Sequence, residues 1–227
     1  MRILYAGNGI IGALGLVSIF SNKTSYSSNI NIYLLDDPND SSVEFSLFKN
    51  YAKIYDLSFI ERELIIDNSI NFDLIVSVHW RKKIKSDLLE KMKFGGINLH
   101  PSLLPKYAGC SSLAWALLNK EKFVGFTWHA MESEFDNGDI ILQKQIAVLS
   151  NDDAFSLWNR VNHQGILSIQ EAIELAKSGK SSRIKQDLSQ RTYYPRGFPS
   201  YDECLKINPN LLESEYKKAS YFPKKIN

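Results

Sequence analysis

Through residues 1–119 short β-type runs alternate with segments of helical length, and this alternation constrains the fold more than any other feature of the chain. Residues 2–6 (RILYA) form a β-type run that Gly7-Asn8-Gly9 stops, and an apolar helical segment follows to Phe20. The polar cluster 21–29 reads as a loop, 30–35 as a strand and 36–40 (DDPND) as a turn. An amphipathic stretch to Tyr51 and a weak strand over 52–57 come next. Residues 73–78 (DLIVSV) are a continuous apolar run, as expected of a strand covered on both faces. Residues 85–91 look helical, 97–100 strand-like and 111–119 helical. This order predicts an α/β fold, a Rossmann-like and mostly parallel sheet with flanking helices.

After residue 120 the pattern changes. Two β-rich runs, 123–131 and 140–149, are joined through Asn137-Gly138 and predict a β-hairpin. Asp152 is expected to cap one long helix ending near Gly179, with Phe155, Trp158, Val161, Ile166, Ile169 and Ile173 along it. The predicted organisation is a domain over residues 1–180 and a short C-terminal appendage over 181–227.

Composition narrows the partners. With 44% apolar and 12% aromatic residues, the 227-residue chain can fill a core. Its 27 basic and 25 acidic residues leave a net charge of +2, which gives no electrostatic footprint for nucleic acid. Cys110 and Cys204 form no CxxC pair and cannot build a disulfide framework. The apolar N-terminal run is broken by Gly7-Asn8-Gly9, lacks a small-residue cleavage site after Phe20 and is too short to span a membrane. A soluble, cytoplasmic protein with free thiols is expected.

Gly7-Asn8-Gly9-Ile10-Ile11-Gly12 fits G-x-G-x-x-G between a strand and a helix, and Asp36 closes the next strand. This pattern has three readings. It is the fingerprint of a dinucleotide cofactor, a helix N-terminus that accepts some phosphate, or simply a tight turn.

Residues 96–109 (GINLHPSLLPKYAG) carry the clearest chemistry. Asn98 and His100 are two residues apart, so they share one face of a strand, at the end where open α/β sheets build their sites. Pro101 and Pro105 stiffen the loop that follows. An amide that hydrogen-bonds a carbonyl oxygen, next to an imidazole that moves a proton or stabilises an oxyanion, suits acyl transfer.

With Asn98-Leu99-His100-Pro101-Ser102-Leu103-Leu104-Pro105-Lys106-Tyr107 and Gly109, the chain resembles the N10-formyltetrahydrofolate-dependent formyltransferase family. Residues 125–129 (GFTWH) and 135–142 (FDNGDIIL) support the resemblance, which runs from residue 1 to about 178. It implies a catalytic trio of Asn98, His100 and Asp136, with N10-formyltetrahydrofolate as donor and no metal. In that scheme Asn98 and a His100 kept cationic by Asp136 stabilise the developing oxyanion. Asp139 is the competing carboxylate. The resemblance also places the folate against His79, Trp80, Arg81, Lys82 and Ile84, with Glu134 and Phe135. Lys82 and Lys83 read equally as cations for the folate's glutamate tail or as a solvated turn. His129 is expected to be a packed histidine and His163 structural or exposed.

Among the subfamilies, a tRNA-directed enzyme would carry a further C-terminal domain and more positive charge, and a formyltetrahydrofolate hydrolase would carry a preceding regulatory domain. The family's frequent arginine before the motif glycine is Ala108 here. The resemblance is greatest to nucleotide-sugar N-formyltransferases, which prepare amino sugars for surface polysaccharides. Residues 193–199 (YYPRGFP) look like the segment after the core domain in that group. The expected reaction is formylation of a dTDP-4-amino-4,6-dideoxyhexose. Asn8, Gly9, Ile10, Lys106, Tyr107, Gly109, Tyr194 and Arg196 are the expected substrate contacts. Packing of the aromatic tail on the core, or a homodimer interface, is the competing reading of 193–199. Glycinamide ribonucleotide formylation, a dinucleotide oxidoreductase and a non-catalytic nucleotide-binding module are the alternative functions.

Overall fold

The computed structural model describes residues 1–21, 30–67, 70–179 and 182–196. Seven strands form one sheet in the order β3-β2-β1-β4-β5-β7-β8. These are β1 (Arg2–Gly7), β2 (Asn31–Leu35), β3 (Phe59–Ile60), β4 (Leu74–Val78), β5 (Gly96–His100), β7 (Phe123–Ala130) and β8 (Ile140–Ala147). The first five pair in parallel, while β7 and β8 are antiparallel additions. The mostly parallel α/β fold predicted from the alternation is therefore present.

β1 and β4 sit at the centre and bury residues on both faces, which explains their lack of polar alternation. Ile3, Tyr5, Leu74, Val76 and Val78 join one core; Leu4, Ala6 and Ile75 join the other. Helix α1 (Gly9–Ser21) covers the larger core together with α2 (Val43–Ile54), α5 (Ser112–Leu118), α6 (Ala154–Leu167) and α7 (Ile169–Lys177). The short α3 (Arg62–Asp67) and α4 (Ser86–Leu89) cover the smaller one. Gly9 begins α1 with φ +61°, a left-handed turn that lets the chain leave β1 and enter the helix at once.

Three expectations are corrected. Residues 52–54 end α2 instead of starting a strand, because Ala52 is fully buried on the face already defined by Phe45 and Phe48. The next strand is β3, which pairs with Leu34 and Leu35. The expected long helix is divided at Ser168. Trp128, fully buried, donates its indole N–H to the Gly165 carbonyl and to Ser168 Oγ, and Ser168 Oγ–H also bonds Gly165. These bonds satisfy groups that a continuous helix would use internally. The N-cap is Asp153, in a capping box with Ser156, while Asp152 pairs with Arg160.

The expected loop over 21–29 lies largely outside the described residues. Of the tail, residues 182–196 pack on the domain. Ile184 bridges to Ile140, and β9 (Tyr193–Tyr194) pairs in parallel with β6 (Ala108–Gly109). The remainder of the expected appendage, with residues 197–199 of the YYPRGFP segment, lies outside the described residues. Among the described residues no helix is long and apolar enough to cross a membrane.

Candidate active site

The C-terminal ends of β1, β4 and β5 open into a cleft of about 790 Å³. Open α/β sheets place ligands there because helix N-termini and loops converge at these ends. Asn98 and His100 project from the end of β5, and Asp136 meets them from the β7–β8 loop. All three line the cleft.

Each member is held by specific partners. Ser77 Oγ–H on β4 donates to Asn98 Oδ1 at 2.8 Å, so the Asn98 amide presents its nitrogen to His129 Nε2, 3.1 Å away. His129 Nδ1 in turn faces the Ala130 carbonyl at 2.8 Å and takes the donor role there. His100 Nε2 is 2.9 Å from the Tyr107 carbonyl and 3.2 Å from Ser112 Oγ, while Nδ1 lies 3.5 Å from Asp136 Oδ1. Asp136 has φ +52° and accepts the Gly109 N–H at 2.8 Å. Gly109 itself has φ +91°, and a Cβ there would run into the Tyr194 carbonyl.

Burial works against the Asp136 carboxylate, but the facing His100 and His129 rings and the Gly109 N–H outweigh it. They hold its carboxyl well below the usual range. Burial also pushes the His100 imidazole down, further than Asp136 and the Tyr107 carbonyl push it up. His100 Nε2–H donates to the Tyr107 carbonyl, which leaves Nδ1 turned to the Asp136 carboxylate.

His79, Trp80, Arg81, Lys82, Ile84, Glu134 and Phe135, the expected folate contacts, all line the cleft. Arg81 is already ion-paired to Glu44 at 3.0 Å and Lys82 to Asp37 at 2.5 Å, whereas Lys83 lies over the Phe135 ring. His79, at φ +59°, is pushed down to about 4 by burial, with Asn162 as an opposing hydrogen-bond partner.

Asn8, Gly9, Ile10, Gly109 and Arg196, from the expected substrate contacts, line the same cleft. Asn8 donates to Asp40 at 3.1 Å, and Glu44 also lies beside Gly9. Two carboxylates at this corner weaken α1 as a phosphate site. Asp36 is paired with Lys49 and does not line the cleft, so the carboxylate of the dinucleotide fingerprint is engaged elsewhere.

Three of the expected contacts do not line this cleft. Lys106 and Tyr107 line a separate cavity of about 150 Å³ behind the loop, and Tyr107 reaches the active site only through its carbonyl. The Tyr107 hydroxyl donates to Glu121, which turns the ring away. Tyr194 is stacked on Trp115 and Tyr107, while its neighbour Tyr193 lines the cleft. Alternation along β9 sends the two rings to opposite faces.

Sequence reasoning missed Ser77 and the place of His129 beside Asn98; the packed histidine expected at 129 is present, buried with Nδ1 on the Ala130 carbonyl. His129 is directly opposite Asn98 across the β5–β7 ladder, a register the sequence could have suggested from the hairpin position. Asp139, the competing carboxylate, does not line the cleft. Among the described residues no group of three or more His, Cys, Asp and Glu side chains is arranged to hold a metal ion.

The pattern of the formyl transferase family matches residues 60–173, half of the chain. A GDP-perosamine N-formyltransferase from Brucella melitensis is 40% identical over 154 residues, 66% of this chain and 58% of the relative. A methionyl-tRNA formyltransferase from Caldanaerobacter subterraneus is 32% identical over 203 residues, 86% of this chain and 66% of that protein. The chain therefore spans about three fifths to two thirds of these relatives. Among solved structures, WlaRD, a sugar 3N-formyl transferase crystallised with dTDP and 5-N-formyl-THF, superposes with a TM-score of 0.66 at 25% identity. The match covers 86% of this chain and 70% of WlaRD. By the extent of the family match, which includes Asn98, His100 and Asp136, the chain belongs to the formyl transferase family.

Proposed function

We propose that the protein transfers a formyl group from N10-formyltetrahydrofolate to the amine of a nucleotide-linked amino sugar. The observation that carries this reading is the convergence of Asn98, His100 and Asp136 on one cleft, with His100 Nδ1 facing the Asp136 carboxylate. Trp80, Ile84 and Phe135 offer an apolar wall for a pterin, and Tyr193 and Arg196 offer a ring and a charge for a nucleotide.

The amine nitrogen attacks the formyl carbon, and the carbonyl electron pair moves to oxygen. The second N–H of the Asn98 amide, the one not directed at His129, supports that oxygen. His100 takes the proton released by the amine, and the resulting imidazolium is stabilised by Asp136. Collapse of the intermediate breaks the bond from carbon to folate N10, which receives the proton from His100. The imidazole returns to its neutral form. In this reading the cation forms during the reaction, where the family scheme has it present beforehand.

A dTDP-4-amino-4,6-dideoxyhexose is the acceptor proposed first. A GDP-linked amino sugar is the second reading, favoured by the 40% identical relative named for GDP-perosamine. The test incubates the protein with N10-formyltetrahydrofolate and each of these amines, with glycinamide ribonucleotide as a comparison. Mass spectrometry then looks for the gain of one formyl group. Product from a nucleotide amino sugar alone supports the reading, and product from none of them refutes it.

A further inference from the structure

Asp136 holds a left-handed backbone conformation in a loop, and such a conformation persists only where its surroundings enforce it. The enforcing groups come from the segment after α7. Gln186 Nε2 donates to the carbonyls of Asp136 at 3.0 Å and Gly138 at 2.7 Å. Arg191 donates to the carbonyls of Asp136 at 3.1 Å and Phe135 at 2.9 Å. The loop is thus gripped on both sides of the carboxylate-bearing residue.

The same segment also sets the other end of Asp136. Its carboxylate is held by the Gly109 N–H, and Gly109 lies in β6, which is paired with β9. The Cys110 N–H donates to the Tyr194 carbonyl at 2.7 Å, and Thr192 Oγ1 accepts the Tyr107 N–H at 2.8 Å. At its start the segment is fixed by two 2.8 Å backbone bonds between Ile184 and Ile140. Gln186 and Arg191 both lie outside the matched stretch 60–173.

We propose that Gln186 and Arg191 are positioning residues for Asp136, acting through the backbone of residues 135–138 to aim its carboxylate at His100. The proposal rests on the reading of Asp136 as the carboxylate that serves His100. Neither side chain touches the reacting atoms in this scheme. Their effect is on the rate of the proton-transfer sequence and not on ligand affinity. Misplacing a catalytic group by about 1 Å costs roughly 10²-fold, which sets the scale of the effect.

The test uses the full chain with Gln186→Met, Arg191→Ala and Arg191→Lys, each also combined with Asp136→Asn. The expected result is a kcat lower by about 10–100-fold in Gln186→Met and Arg191→Ala, with KM for both substrates within about twofold. Arg191→Lys should recover part of the loss. In the Asp136→Asn background the same substitutions should add little, because their target is gone. A loss confined to KM, or an undiminished loss in that background, would overturn the proposal. Thermal midpoints of each variant identify any general unfolding. A second readout is independent of the formyl-transfer reading: the His100 titration followed by NMR. Asp136 raises the His100 pKa, so Gln186→Met should lower it in folded protein. An unchanged His100 titration overturns the positioning role even if no acceptor amine is ever formylated. A missing product with a shifted titration overturns only the reaction.

Discussion

His100 Nδ1 stands 3.5 Å from Asp136 Oδ1, and the two side chains expose only 6% and 11% of their surfaces. A proton arriving on that imidazole therefore meets a carboxylate across a nearly enclosed gap. Burial works against the His100 cation, and Asp136 offsets part of that cost.

Asp136→Asn should reduce kcat by about 10²–10⁴-fold, the range for general acid–base groups. It should also move the acid limb of the rate profile. Asp136 raises the His100 pKa, so removing its charge lowers that value, and activity should persist to lower pH than in the parent. A kcat–pH profile for both proteins checks the direction. An acid limb that moves upward would contradict the assignment.

Ser77→Ala removes the O–H that pins Asn98 Oδ1. The amide can then turn and offer its carbonyl where a donor is needed. Turnover should fall by about an order of magnitude, while Asn98→Ala should cost about 10²–10³-fold, as for loss of one oxyanion donor. Folate affinity, measured by fluorescence titration, should be unchanged in Ser77→Ala.

His79 is half-buried at φ +59°, and desolvation pushes its pKa down to about 4, against an ordinary 6.5. A folded-state pKa below the unfolded one means that the unfolded chain binds more protons in between. Stability is then full above about pH 6.5 and falls as pH drops toward about 4. Its share is about 3 kcal/mol at about 1.4 kcal/mol per unit. His79→Asn, which tolerates the left-handed backbone, should flatten the decline in thermal midpoint between neutral and acid pH. An equally steep decline in that variant would rule His79 out as its source.

Gly109→Ala places a methyl group against the Tyr194 carbonyl at φ +91°. The β6–β9 pairing should open, with a loss of about 1–3 kcal/mol of stability. Chemical denaturation measures it. Loss of activity beyond that expected from unfolding is also anticipated, because the Gly109 N–H holds Asp136.

The sheet was legible because β1 and β4 are apolar on both faces, and only a central parallel strand asks for that pattern. Asn98 and His100 were legible from their spacing along β5. The division of the last long helix was not, because Trp128 causes it from 40 residues away in sequence. Local periodicity carries no information about such a partner. Ser77 and the contact of His129 with Asn98 were hidden for the same reason: neither shows until the pairings of β4, β5 and β7 bring these residues together. That Lys106 and Tyr107 line a separate cavity was not legible, because adjacency to a motif says nothing about which side of the loop a side chain takes.

The most direct test of the central claim is single-turnover formyl transfer by the parent protein and by His100→Asn. N10-formyltetrahydrofolate and a nucleotide-linked amino sugar are supplied, and product is followed by mass spectrometry. The parent should add one formyl group to the sugar. The variant should bind folate with unchanged affinity and form product about 10²–10⁴-fold more slowly. Formylation by His100→Asn at the parental rate would contradict the account.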